Sequence, residues 1–143
     1  MRFPAIAAAA VLAAALSPAF ATEPTKDQLL AELHRRIAGR EQEPAEAVFK
    51  DIQLFKGRTA EQLLAVMDLG FSRSLGVDCT HCHDTTDWAA DAKKPKAIAR
   101  EMSLMTREIN AKLKTIEGIE STPPVINCTT CHRGQKKPAL SLD

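Results

Sequence analysis

The sequence predicts a small all-α protein with long loops, and three observations support that fold class. Apolar residues recur at helical spacing in three segments, whereas the alternating pattern of a strand is nearly absent. The length of 143 residues suits one domain. Only 4% of the residues are aromatic, and none is Tyr. Because aromatic rings supply much of a small core, we expect a group outside the polypeptide to complete it.

The first 21 residues have the pattern of a cleaved secretory leader. Arg2 supplies the charged start, residues 5–16 are apolar, and residues 19–21 (AFA) form a small-x-small cleavage site. An uncleaved membrane anchor is the alternative, but the apolar run is shorter than the roughly 20 residues that a span needs. We therefore expect residues 22–143 to form the mature domain, without membrane insertion, in the periplasm if the source is Gram-negative.

Three helices are predicted in the mature chain. The first occupies residues 25–39 and the second residues 59–69, and each opens with a capping box. The third follows Pro95 and ends near Lys114. The three apolar stripes are Leu29, Leu30, Leu33 and Ile37, then Leu63, Leu64, Met67 and Phe71, then Ile98, Met102, Met105, Ile109 and Leu113. Residues 41–57 are predicted to be a short helical or extended connector.

The second and third helices each lead into the same short element. Residues 78–83 are DCTHCH and residues 127–132 are NCTTCH, so Cys-x-x-Cys-His occurs twice and uses all four cysteines. Asp78 and Asn127 are good N-cap residues, so each element can start a helical turn. On such a turn, positions i, i+3 and i+4 share one face. The chain is therefore predicted to contain two helix-plus-CxxCH units.

Cys-x-x-Cys-His is the attachment signature of c-type haem. On one helical turn, the two thiols can reach the two vinyl groups of a porphyrin while the histidine points at its iron. Two covalently attached haems would also supply the missing core. We expect thioethers at Cys79, Cys82, Cys128 and Cys131, with iron ligands at His83 and His132.

Three other interpretations of the cysteines are weaker. Two disulfides would suit an exported protein, but they give no reason for a histidine after each pair. A thiol-disulfide redox site of the thioredoxin type needs a βαβ context, which the sequence lacks. Zinc prefers a closed set of four ligands, and each element offers one ligand more than that arrangement uses.

The sixth iron ligand decides what such a site can do. An open iron face permits small-molecule chemistry, whereas histidine and methionine on opposite faces suit electron transfer. Met67 precedes the first element, and Met102 and Met105 precede the second, although methionines on apolar stripes are commonly core residues. We expect Met67 and Met102 to be ligands, with Met105 as the alternative to Met102. His34 is a less favoured ligand, and His81 is expected to face solvent.

Four segments together resemble a known family. They are residues 48–57 (VFKDIQLFKG), 74–79 (SLGVDC), 99–110 (AREMSLMTREIN) and 128–134 (CTTCHRG). This combination is similar to the cytochrome c subunit of bacterial photosynthetic reaction centres, and the similarity extends over about residues 44–138.

The resemblance implies a fold, a cofactor and ligands. In that family, a methionine on the helix before each haem element is the sixth ligand, which corresponds to Met67 and Met102 here. The family subunit holds four haems in two such halves and stays bound to a membrane complex, whereas this chain resembles one half. The resemblance therefore implies a free-standing di-haem cytochrome that transfers electrons between redox proteins, with a membrane-bound redox complex as one possible partner.

Other functions and partners follow from the same observations. A small peroxidase or nitrogen-oxide reductase with one open haem is the enzymatic alternative, although no distal acid-base histidine is evident. A haem sensor or a subunit of a larger dehydrogenase is a third possibility. The net charge of +1 argues against nucleic-acid binding.

Charge is distributed unevenly along the mature chain. Acidic residues outnumber basic ones before residue 93, and the reverse holds after it. We expect five lysines to face an acidic redox partner, with a simple solvated surface as the alternative. They are Lys93, Lys94, Lys96, Lys136 and Lys137.

Overall fold

The computed structural model describes residues 23–141, and the regular structure in this range is helical apart from one isolated bridge between Pro44 and Thr59. The elements are α1 Lys26–Arg36, α2 Ala45–Val48, α3 Ala60–Ala65, a π-helical segment Val66–Ser72, α4 Arg73–Leu75, a 3-10 turn Cys79–His81, α5 Lys94–Leu113 and α6 Cys128–His132. The all-α prediction is thus confirmed for this range. The predicted leader lies outside it. No helix in residues 23–141 has the length and apolarity to cross a membrane.

The first half of the described chain has a compact apolar core. Both predicted capping boxes are present, at Thr25 and at Thr59, and they start α1 and α3. The two helices pack together through the buried side chains of Leu33, Ile37 and Leu64. Half-buried side chains from the following loops, including that of Trp88, pack against this core. Sequence-local caps and a short apolar stripe are therefore sufficient to place α1 against α3.

The second predicted helix continues beyond its expected end. The helical path runs through Gly70 and ends at Gly76, which has a φ of +64°. A Cβ atom at Gly76 would lie 2.0 Å from the Gly134 carbonyl oxygen, so this position needs glycine for space as well as for conformation. The prediction that the helix ends near Gly70 was therefore wrong, because a distant close approach, not local propensity, fixes the end.

Helix α5 is the longest helix in residues 23–141, yet none of its 20 residues is buried. Its bounds agree with the prediction, and Pro95 lies in its first turn. Hydrogen bonds hold its C-terminal part, where Asn110 donates to the Ile126 carbonyl at 2.9 Å and accepts from the Ile126 N–H at 2.7 Å. The apolar stripe of α5 therefore lines an open cavity and leaves a 20-residue amphipathic helix without a protein core.

Candidate functional site

A cavity of about 450 Å³ lies between α1, the connector and the first CxxCH element. Its wall includes Met67, Cys79, Cys82 and His83, which are all four of the residues predicted for the first site. Met67 lies in the π-helical segment, and such segments are common at functional sites. The sequence predicts an ordinary α-helix at Met67, because a short π-helical segment has no characteristic residue pattern. We name this space the first cavity.

A second cavity, of about 250 Å³, lies between α5 and α6. Its wall includes Met102, Cys128, Cys131 and His132, the predicted residues of the second site, together with Met105. Both methionines line the cavity, and Met105 is the more exposed of the two, with 41% of its surface accessible. The structure therefore keeps Met105 as the alternative to Met102.

The two cavities are neighbours. Phe71, Cys82 and Ala99 line both of them. The aromatic ring of Phe71 also packs edge-on against Phe55, with ring centroids 6.2 Å apart. One layer of side chains therefore separates two sites that carry the same kinds of ligand.

The two CxxCH elements are capped as predicted, but their turns differ. Asp78 Oδ1 accepts a hydrogen bond from the Thr80 N–H at 2.9 Å, and Asn127 Oδ1 accepts one from the Thr130 N–H at 3.1 Å. The first element forms a 3-10 turn, whereas the second forms the short α-helix α6. In the first element the His83 N–H still bonds the Cys79 carbonyl at 2.9 Å, so the i and i+4 positions remain on one face.

The ring of each candidate histidine ligand is oriented by a hydrogen bond from Nδ1 to a backbone carbonyl. His83 Nδ1 lies 3.0 Å from the Trp88 carbonyl oxygen, and His132 Nδ1 lies 3.0 Å from the Gln135 carbonyl oxygen. Because a carbonyl only accepts, each Nδ1 carries the proton and each Nε2 keeps a lone pair for a metal. Burial lowers the pKa of His83, which favours the neutral ring that a metal needs.

The cysteines are poorly suited to thiol-disulfide exchange. All four are free thiols. Burial is the main cause that raises the pKa of Cys79, Cys82 and Cys128, whereas exchange needs a thiolate. In residues 23–141, no three His, Cys, Asp or Glu side chains converge as a metal site. The zinc and thiol-redox alternatives therefore gain no support from the geometry.

The two remaining histidines lie in different surroundings. His34 is exposed beside Glu61, with 3.3 Å between Nδ1 and Oε2, and it lines neither cavity. His81 lines the second cavity, although it belongs to the first CxxCH element. The expectation that His81 faces solvent was wrong, because the turn between Cys79 and Cys82 directs it toward the neighbouring site.

A charged cluster, which no sequence pattern predicts, borders the first cavity. Lys96 and Arg100, on α5, form ion pairs with Asp51 and Asp91 at 2.7–3.2 Å. Lys93 donates to the carbonyl of Thr80. Lys93 and Lys96 therefore hold α5 against the first unit, and the expectation that they face a partner was wrong for both.

A polar seam joins the first unit to the second CxxCH element. The Ser74 hydroxyl lies 2.6 Å from the Thr129 hydroxyl, and the Gly134 N–H donates to the Ser74 carbonyl at 2.9 Å. Ser74 is 2% exposed. Ser74, on α4, thus fixes the position of α6 and with it the positions of Cys128 and Cys131.

Comparisons with known proteins agree with this geometry. The family described as photosynthetic reaction centre cytochrome C subunit matches residues 12–141. The photosynthetic reaction center cytochrome c subunit of Rubrivivax gelatinosus is 34% identical over 57% of this chain and 25% of its own length. Cytochrome c-554 of Chloroflexus aurantiacus is 31% identical over 57% of this chain and 20% of its own length. The chain thus matches about a quarter or less of each relative.

Because the family match covers most of the sequence and includes both CxxCH elements, the chain belongs to the photosynthetic reaction centre cytochrome c subunit family.

Proposed function

We propose that this chain is a di-haem c-type cytochrome that transfers single electrons between redox partners outside the cytoplasm. The observation that carries the proposal is that two neighbouring cavities each have on their walls both cysteines and the final histidine of one CxxCH element, together with a methionine from the preceding helix. The names of both relatives, a cytochrome c subunit and a cytochrome c-554, support the haem and the electron-transfer role.

The residues around each cavity fit a covalently held haem. The thiols in each CxxCH element lie on one turn and are not engaged in disulfides. Largely apolar walls suit a porphyrin, and Lys50, on the wall of the first cavity with no partner in residues 23–141, suits a haem carboxylate. The apolar side chains of α5 that line the second cavity are not buried by other protein side chains, so an apolar cofactor also suits this cavity.

Each residue has a defined role in this proposal. Bound haem iron supplies a one-electron redox centre. The thioethers form at Cys79, Cys82, Cys128 and Cys131, and the iron ligands are His83 with Met67 and His132 with Met102. The carbonyl bonds at Nδ1 keep both histidine rings in the ligating tautomer. With methionine as the second protein ligand, each site would be closed to other ligands and would have a higher reduction potential than with a second histidine.

Export and docking are further parts of the proposal. The leader pattern in residues 1–21 supports cleavage and a periplasmic location. Three exposed lysines, Lys94, Lys136 and Lys137, remain available to an acidic redox partner, and Lys136 lies on the wall of the second cavity. Reduction by that partner should therefore slow as salt rises. A rate that does not depend on salt would contradict electrostatic docking.

Redox-titrated absorption combined with electron paramagnetic resonance, on protein purified after native export, tests the function. We expect two low-spin haems, each with histidine and methionine ligands, and no high-spin fraction at rest. A single haem would contradict the di-haem assignment. A resting high-spin haem would favour the enzymatic alternative, a small peroxidase or nitrogen-oxide reductase.

A further inference from the structure

The polar cluster at the first cavity centres on Lys96, which the proposed ligand set does not use. The Lys96 side chain is only 11% exposed, and its ammonium lies 3.2 Å from Asp51 and 3.0 Å from Asp91. Arg100 binds the same two carboxylates, at 2.7 Å and 2.8 Å. Two cations thus balance two anions, and the cluster is neutral as a whole.

Lys96 also binds the loop that orients His83. Its Nζ lies 2.8 Å from the Ala89 carbonyl oxygen, 3.0 Å from that of Ala90 and 3.3 Å from that of Trp88. Its three N–H groups are therefore shared among these carbonyls and the two carboxylates. The Trp88 carbonyl is the acceptor for His83 Nδ1. The Trp88 oxygen therefore lies 3.0 Å from the candidate iron ligand and 3.3 Å from a charged lysine, which shares its N–H groups with it.

The second site provides an internal comparison. His132 Nδ1 binds the Gln135 carbonyl at the same 3.0 Å. Among the described residues, no other side chain donates to that oxygen. The two sites thus share a histidine orientation and differ in whether a lysine competes for the acceptor.

Lys96 lies in the first turn of α5, where the helix dipole disfavours cations. Its two ion pairs and its contacts with the loop offset that cost and hold α5 against the first unit. The same contacts place its charge beside the Trp88 carbonyl, at the wall of the first cavity.

The expected tuning has one sign. A stronger hydrogen bond at Nδ1 makes a ligating histidine more basic, and a more basic ligand favours the oxidised metal. When Lys96 donates to the Trp88 oxygen, that oxygen accepts less strongly from His83. The lysine charge at the cavity wall also disfavours the oxidised site, which carries one more positive charge. Both effects raise the reduction potential.

We propose that Lys96 is a positioning residue for the first haem site. Its ammonium weakens the hydrogen bond between His83 and the Trp88 carbonyl and thereby raises the reduction potential of that site. This inference rests on the proposed function, because it requires a haem bound by His83.

The main test compares Lys96→Met with Lys94→Met in the natively exported holoprotein. Lys94 lies in the same turn of α5, is exposed and lines neither cavity. For Lys96→Met we expect the first reduction equilibrium to shift on the order of tenfold toward the oxidised form, about 59 mV for one electron. The second haem and the Lys94→Met variant should not shift. An unchanged first potential, or equal shifts at both haems, would overturn the inference.

A second measurement separates the hydrogen bond from the charge. In the reduced, diamagnetic protein, the His83 ring N–H resonance should move downfield in Lys96→Met, because its hydrogen bond strengthens. The Lys96→Met/Asp91→Asn double variant restores a neutral cluster and avoids an unpaired carboxylate if the single variant fails to fold. We expect its first potential to stay below that of the wild type. Full recovery of the potential with an unmoved resonance would overturn the inference.

A conservative change completes the set, because Lys96→Arg keeps both the charge and the ability to donate and should restore most of the potential. Failure of the inference is distinguishable from failure of the proposed function. If exported protein has no haem at Cys79 and Cys82, the function fails. If a low-spin haem with His83 is present and Lys96→Met changes neither potential nor resonance, only the role of Lys96 fails.

Discussion

The first cavity borders a buried apolar core, whereas the second lies along a helix that has no buried residue. Around the first cavity, α1 and α3 share a buried apolar core, and the Lys96 cluster holds the loop that follows His83. Around the second, α5 has no buried residue, and Ile98 and Met105 remain 59% and 41% exposed. The two sites carry the same ligand types in very different settings.

This difference separates two ways of building a cofactor site. In the first, the polypeptide forms a core, and the proposed cofactor would fill a gap beside it. In the second, the proposed cofactor would supply the apolar core, and the polypeptide holds the two sides through polar contacts: the seam at Ser74, the Asn110 bonds and the Lys96 cluster. The low aromatic content of the chain is therefore a deficit that falls mainly on its second half.

The largest effect is expected when the second haem loses its attachment. In Cys128→Ala/Cys131→Ala, α5 should lose much of its helical structure, because most helical stability in proteins comes from packing of the apolar face, and no residue of α5 is buried by the protein. Far-ultraviolet circular dichroism and limited proteolysis measure this loss. The matched variant Cys79→Ala/Cys82→Ala should keep α1 and α3 protected. If α5 stays helical and protease-resistant without the second haem, the comparison between the cavities is wrong.

Removal of a methionine ligand should have the next largest effect. Met67→Ala should lower the potential of one haem and let that haem bind carbon monoxide, because the side chain that closes the iron face is gone. Met102→Ala should do the same at the other haem, whereas Met105→Ala should change little. Absorption spectra with and without carbon monoxide measure these changes. Carbon monoxide binding in Met105→Ala but not in Met102→Ala would reverse the assignment at the second site.

The third largest effect is expected at the close contact between Gly76 and Gly134, where a substitution should lower the free energy of unfolding. In Gly76→Ala the new Cβ would meet the Gly134 carbonyl at 2.0 Å, at a φ of +64°. We expect a loss of about 2–5 kcal/mol in the free energy of unfolding, from backbone strain plus overpacking. The control is Gly39→Ala, which shares a positive φ but has no atom within 4 Å and should lose only about 1–2 kcal/mol. Equal losses, measured by denaturant titration, would refute the close contact.

The smallest effect concerns acid stability at the first cavity. Hydrogen bonds from Arg100 and then Lys96 hold the pKa of Asp91 well below its ordinary value. A lowered pKa in the folded state stabilises the fold above the ordinary value of 3.8, and this contribution is lost as the pH falls further. Denaturant midpoints at about pH 6 and about pH 3 should therefore differ more in the wild type than in Asp91→Asn. If the denaturant midpoint changes equally with pH in both proteins, the ion pairs of Asp91 do not stabilise the fold.

Local features of the fold could be predicted from the sequence, and long-range ones could not. The capping boxes at Thr25 and Thr59 and the N-caps of the CxxCH elements depend on residues two or three positions apart, and the start of α5 follows from Pro95 in its first turn. The helix end at Gly76 depends on a carbonyl from the far end of the chain. The spacing of apolar residues contains no information about this long-range contact, so the sequence predicts a helix that ends too early.

The candidate sites follow the same division. The cysteines, His83 and His132 were evident from the spacing of the motifs, and the methionines from their position on the preceding helices. The surroundings of His83 were not, because Lys96 meets Asp51 and the Trp88 carbonyl only in the folded chain. A run of lysines near a helix start resembles a solvated surface until the tertiary contacts are known.

Intact mass spectrometry of the natively exported protein tests the central claim most directly. We predict a mass equal to the polypeptide from Thr22 plus two covalently bound haems, and one haem fewer in Cys128→Ala/Cys131→Ala. A bare polypeptide mass, or one haem in the wild type, would contradict the claim that both cavities hold a haem.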